Sequence, residues 1–160
     1  MNPYFQSTTR RMALIGECAS WLGTPFHPHG RTKGAGVDCV GLAAQIYIAL
    51  GLIHEFKPPT YTVGGADLMS KSAIEEFLTC LPELRPVFGT ETRLQTIGCE
   101  IIPGDLLVFQ MGRVTHHVGL AMSETEFLHC HQHTPVRIND LRDPTWLGRL
   151  RRVYRPTEVA

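Results

Sequence analysis

The chain has no net charge: its 15 lysines and arginines are balanced by 15 aspartates and glutamates over 160 residues. It therefore lacks the basic footprint of a nucleic-acid binder, and no nucleic-acid partner is expected. Lysine is scarce, at Lys33, Lys57 and Lys71 only, and the arginines at 149, 151, 152 and 155 read as a solvated face. No window approaches eighteen consecutive apolar residues, so no membrane insertion is expected. Residues 1–11 lack an apolar core followed by a small-residue cleavage site, which predicts cytoplasmic synthesis without a signal peptide. The five cysteines are odd in number, irregularly spaced and without a C-x-x-C pair. That excludes a disulfide framework and predicts free thiols. No G-x-x-x-x-G-K-[ST] run is present, so the glycine-rich stretch before Val37 is a poor phosphate cradle.

What is present reads as one α+β domain over residues 1–160, large enough to bury a core without staples. Ser7 to Thr9 caps a first helix, with Met12, Ile15, Cys18, Ala19 and Leu22 at inward spacing, Trp21 as an anchor and Gly23 as its end. Thr24 to Val37 is a loop. Asp38 then caps a second helix that is apolar on nearly every face and stops at Gly51, the pattern of a buried helix. Tyr61–Val63 is a short extended piece, and Asp67–Leu81 reads as a surface helix. Residues 82–100 carry no strong pattern. From Asp105 the period changes to two, with strands expected at 105–110, 117–122, 126–130, 136–139 and 151–155. Strands this short and closely spaced make a small antiparallel sheet or partly closed barrel.

Cys39 stands in the first turn of the buried helix, where unpaired N–H groups and the dipole favour a thiolate. Against this, cysteine is often simply a small buried hydrophobe. A nucleophilic cysteine needs a base beside its sulfur, and that base needs an orienting partner. His117 opens one strand of the expected hairpin, and His129 lies near the end of the returning strand, on the face of Phe127 and His131. The rival chemistry is zinc, since His116, His117, His129, Cys130, His131 and His133 are dense. No H-E-x-x-H, no paired cysteines and no interleaved acid support it, so neither metal nor cofactor is expected.

Five blocks together resemble the NlpC/P60 family of cysteine peptidases. They are Gly23-Thr24-Pro25-Phe26, Gly36-Val37-Asp38-Cys39-Val40-Gly41-Leu42, Pro103-Gly104-Asp105-Leu106-Leu107-Val108-Phe109, His117-Val118-Gly119-Leu120 and Phe127-Leu128-His129. The resemblance covers about residues 10–155. It implies a papain-like fold and cleavage of amides in peptidoglycan stem peptides, usually between D-γ-glutamate and diaminopimelate or lysine. By position it makes Cys39 the nucleophile, His117 the general base and acid, and His129 the orienting residue. Where the family commonly has tyrosine this chain has Phe26, so oxyanion stabilisation falls to the Cys39 N–H and to a polar group such as His27 or His29. Phe26, His27 and His29 are thus the substrate-binding candidates. The long loop before Cys39 and the segment from Trp146 to Pro156 look most like the phage-tail and gene-transfer-agent branch. That branch implies delivery to the cell wall within a particle and other tail proteins as partners. The alternative on the same fold is a structural tail-tip or assembly protein without turnover.

Overall fold

The structure is a computed structural model that describes residues 2–57, 74, 78, 81, 84–88 and 100–158, with 85–88 and 114–116 described by backbone alone. The expected extended piece at Tyr61–Val63, most of the expected helix over Asp67–Leu81, Cys80, Cys99 and the His116 side chain lie outside the described residues. Of that expected helix, Ile74 and Leu78 are buried.

Helix α1 spans Thr8–Trp21, and the Ser7 hydroxyl accepts a hydrogen bond from the Arg10 N–H. Its buried positions are Leu14, Cys18 and Trp21. Of the residues expected inward, Cys18 and the anchor Trp21 are buried, and the others are not. Met12 is 68% exposed, Ile15 44% and Leu22 47%, and Ala19 is exposed as well. The sequence carries two apolar stripes at helical spacing, and periodicity alone does not choose between them. The stripe that ends in Trp21 wins, because it places the largest apolar side chain of the helix in the core.

The expected loop before Cys39 contains a two-stranded ladder, β1 (Arg31–Thr32) against β2 (Gly36–Val37). Helix α2 spans Cys39–Ala49. Asp38 caps it, accepting from the Gly41 N–H at 2.7 Å. It ends as glycine at this position dictates: Gly51 has φ 73°, its N–H donates to Ile48 O, and the Leu52 N–H reaches back to Tyr47 O.

The remaining elements form a six-stranded antiparallel sheet of β3 (Leu84–Phe88), β4 (Leu106–Met111), β5 (Val114–Ala121), β6 (Glu126–His131), β7 (Thr134–Asp140) and β8 (Leu150–Pro156). Their spatial order is β3-β8-β4-β5-β6-β7. β3 lies in the stretch that has no readable pattern. Helix α3 (Pro144–Arg149), capped by Asp143, was not expected either. The result is the α+β fold expected from sequence.

Alternation along the strands builds two cores. Leu106, Val108, Val118, Leu120, Leu128 and Cys130 face α1 and α2. Leu107, Phe109, Ala121, Phe127 and Val153 face the other way, toward Trp146 of α3. The arginine cluster near the C-terminus is only partly a solvated face. Arg155 forms a bidentate ion pair with the fully buried Asp105, at 2.9 and 2.7 Å. The Asp105 carboxylate also accepts from the Ile102 N–H, which explains the Pro-Gly-Asp turn at the head of β4.

Candidate active site

The head of α2 is held by Asp38, whose two carboxylate oxygens do different work. Oδ1 caps the helix through Gly41, and Oδ2 accepts from the His29 N–H at 2.8 Å. One buried side chain therefore fixes both the helix start and the loop that precedes it. Gly41 is required here, since a Cβ would sit 2.6 Å from the Gly30 carbonyl oxygen and 3.0 Å from Asp38 Oδ1. His29 is in the left-handed region, φ 58°. Its contribution to this anchor is its backbone. The His27 N–H donates to Val37 O at 3.0 Å, and its ring Nδ1 lies 2.9 Å from the Pro28 carbonyl. Phe26 is half-buried, bridged to Val37.

Cys39 is half-buried at the head of this helix. Burial pushes its thiol up to about 12, and the charge of Asp38 adds to that effect. Hydrogen bonds from the backbone of Val118, Val40 and Cys39 itself act in the opposite direction. Desolvation thus works against the helix start, which by itself favours a thiolate. Attack by this sulfur needs a base that removes the proton during the reaction. Cys39 packs against the α2-facing core, to which Val118, the residue after His117, belongs.

Among the described residues the β5–β6 ladder is registered only at Leu120↔Leu128 and Ala121↔Phe127. His117 is paired with Phe109 on the other side of β5. The two histidines expected to cooperate do meet: His117 Nε2 lies 3.0 Å from His129 Nδ1, with both residues buried. His129 Nε2 in turn lies 2.9 Å from Asn139 Oδ1 on β7. Aromatic rings enclose this pair. Phe127 stacks on His129 at 4.8 Å, Trp146 meets His129 edge-on at 4.6 Å, and Trp146 lies tilted over His117 at 5.8 Å. Burial among these rings holds His129 down at about 4, which outweighs the upward pull of Asn139. His129 is a neutral imidazole at neutral pH. His131, half-buried 5.9 Å from His117, is also lowered by burial.

Asn139 and Trp146 are the components that sequence reasoning missed. Alternation puts Asn139 on the face of His129 once Phe127 is paired with Asn139. That register depends on the β6–β7 turn, where His133 takes φ 66°, and residue spacing does not reveal it. Pro25, Phe26 and Pro28 of the loop before Cys39 line an open groove of about 560 Å³ together with Gln132, His133, Thr134 and Pro135 of the β6–β7 turn. Among the described residues no three His, Cys, Asp or Glu side chains converge as a metal site.

A comparison with known proteins bears on this arrangement. The Murein DD-endopeptidase MepS/Murein LD-carboxypeptidase of Escherichia coli (strain K12) is 26% identical over 137 residues, covering 85% of this chain and 57% of that protein. The chain thus spans little more than half the length of this curated relative. Two crystal structures share the fold. One, from Staphylococcus aureus subsp. aureus Mu50, is described as similar to lipoprotein, NLP/P60 family. It aligns with a TM-score of 0.64 at 18% identity, over 99% of this chain and 45% of that one. The other, an NlpC/P60 family protein from Bacillus cereus ATCC 10987, aligns with a TM-score of 0.55 at 18% identity, over 89% of this chain and 39% of that one. The NlpC/P60 family model matches residues 23–155, from the loop before Cys39 to the end of the sheet, and the chain belongs to that family.

Proposed function

We propose that this chain is a cysteine peptidase that hydrolyses amide bonds in peptidoglycan stem peptides, of the D-γ-glutamyl–diaminopimelate type. The observation that carries the reading is the buried His117–His129 contact of 3.0 Å on the sheet that packs against α2, the helix headed by Cys39. Membership of the NlpC/P60 family and the murein endopeptidase relative support the substrate class.

In this reading His117 takes the Cys39 proton as the sulfur attacks the amide carbonyl. The Cys39 N–H at the helix head stabilises the developing oxyanion. Collapse breaks the C–N bond, and His117 returns the proton to the leaving amine. His117 then takes a proton from water as hydroxide adds to the thioester carbonyl; the C–S bond breaks, and His117 returns that proton to the sulfur as the acid is released. Phe26, with Pro25 and Pro28, forms one wall of the groove that takes the peptide, and His27 and His29 stand in the same loop. The long loop before Cys39 and the segment from Trp146 to Pro156 support a place in a phage tail or gene-transfer particle that carries the enzyme to the wall.

Digestion of purified muropeptides followed by mass analysis tests the reading. The expected products end in D-γ-glutamate on one side and begin with free diaminopimelate or lysine on the other, and Cys39→Ala yields none. Two observations favour a second reading, a tail-tip or assembly protein without turnover: Phe26 offers no hydroxyl, and burial raises the Cys39 thiol. Intact muropeptides after digestion with the wild-type chain would support that reading and overturn the first.

A further inference from the structure

We infer that Asn139 is a positioning residue that sets the protonation pattern of both histidines through a chain running from Asn139 to His129 to His117. The inference rests on the peptidase reading above and extends it by one residue that no part of the motif contains.

The argument follows from donors and acceptors. Asn139 Oδ1 has lone pairs and no proton, so at 2.9 Å it can only accept from His129 Nε2. The proton of a neutral His129 is then on Nε2, and its Nδ1 carries a lone pair. Nδ1 lies 3.0 Å from His117 Nε2, which must therefore be the donor. A neutral His117 with its proton on Nε2 has a bare lone pair on Nδ1, the nitrogen on the ring edge away from His129. That is the form able to take a thiol proton. With the Asn139 amide reversed, every bond in the chain reverses, and His117 Nδ1 would hold a proton instead.

The scheme requires a neutral His129, and the surroundings provide it. Phe127, Trp146 and the stacked ring of His131 exclude water, while Arg137 of β7, directly opposite His129 in register, disfavours a second positive charge. Asn139 is neutral, so it orients the ring without drawing a proton onto it.

Nitrogen-15 NMR of the imidazole rings, recorded at pH 7 without substrate, tests the assignment on the wild-type chain. Both His117 and His129 are expected as neutral rings protonated on Nε2. Protonation of His129 on Nδ1 overturns the inference. Asn139→Leu removes the acceptor at similar volume. His129 is then expected to sample both tautomers, and kcat to fall roughly 10- to 100-fold with KM unchanged, less than the loss of the base itself. Asn139→Asp keeps an acceptor at the same place and, assayed at pH 8 to keep His129 neutral, is expected to recover most of kcat. An unchanged tautomer and kcat in Asn139→Leu would also overturn the inference. If that variant does not fold, the wild-type spectrum and Asn139→Asp still decide. Because the spectrum needs no substrate, the expected tautomers without muropeptide hydrolysis would remove the proposed function and leave this inference standing.

Discussion

Three cysteines of the described chain have different surroundings, and those surroundings set which sulfur is expected to react first. Cys18 and Cys130 are buried, and burial raises both thiols; Cys130 donates weakly to Val37 O at 3.6 Å. Cys39 is raised too, yet it is half-buried and stands at the head of α2. At pH 7.5 iodoacetamide is therefore expected to label Cys39 ahead of Cys18 and Cys130, and His117→Ala is expected to slow that labelling. Peptide mapping by mass spectrometry checks this, and equal labelling of the three would contradict it. The helix start at Cys39 was legible from the cap before it, and the meeting of His117 with His129 from the family blocks that contain them. Asn139 was not legible, since its partner is decided by strand register. The upward push of burial on the Cys39 thiol was not legible either, since desolvation is decided by tertiary packing.

At the level of elements, the loop and α2 behave as one unit because Asp38 joins them. Asp38→Ala would strip acceptors from the Gly41 and His29 N–H groups together, at a cost of about 2–4 kcal/mol. Asp38→Asn keeps one acceptor oxygen and is expected to cost less. Urea denaturation of the two variants measures both, and an equal loss would show that the capping oxygen is not what matters. The start and stop of α2 were readable to the residue, because Asp38 and Gly51 act through local backbone geometry. The buried face of α1 was misread, because only packing chooses between Leu14-Cys18-Trp21 and Met12-Ile15-Ala19-Leu22. The close approach of Gly119 to Phe127, where a Cβ would lie 2.6 Å from the ring, is likewise a tertiary constraint behind a motif glycine.

For the whole molecule, the buried histidine couples the site to folding. Unfolded, His129 titrates near its usual 6.5; folded, it is held near 4. Between these values the unfolded chain binds the proton and the folded chain does not. The stabilisation is therefore complete above pH 6.5 and lost as pH falls through 4, up to about 3 kcal/mol in all. His131 is lowered by burial and acts in the same sense, whereas Asp105, raised by burial, opposes them. Thermal melts across this range are expected to fall more steeply for the wild-type chain than for His129→Leu, and parallel curves would refute the coupling. The sheet that holds the histidines and the helix that holds the cysteine are thus one device, with the two cores on either side of it. Its central claim is that the Cys39 sulfur makes the bond. The most direct measurement is the rate of hydrolysis of one purified muropeptide by the wild-type chain and by Cys39→Ala, each shown to be folded by circular dichroism. The account predicts turnover by the wild type and a loss to background in the variant; hydrolysis by Cys39→Ala at the wild-type rate would contradict it.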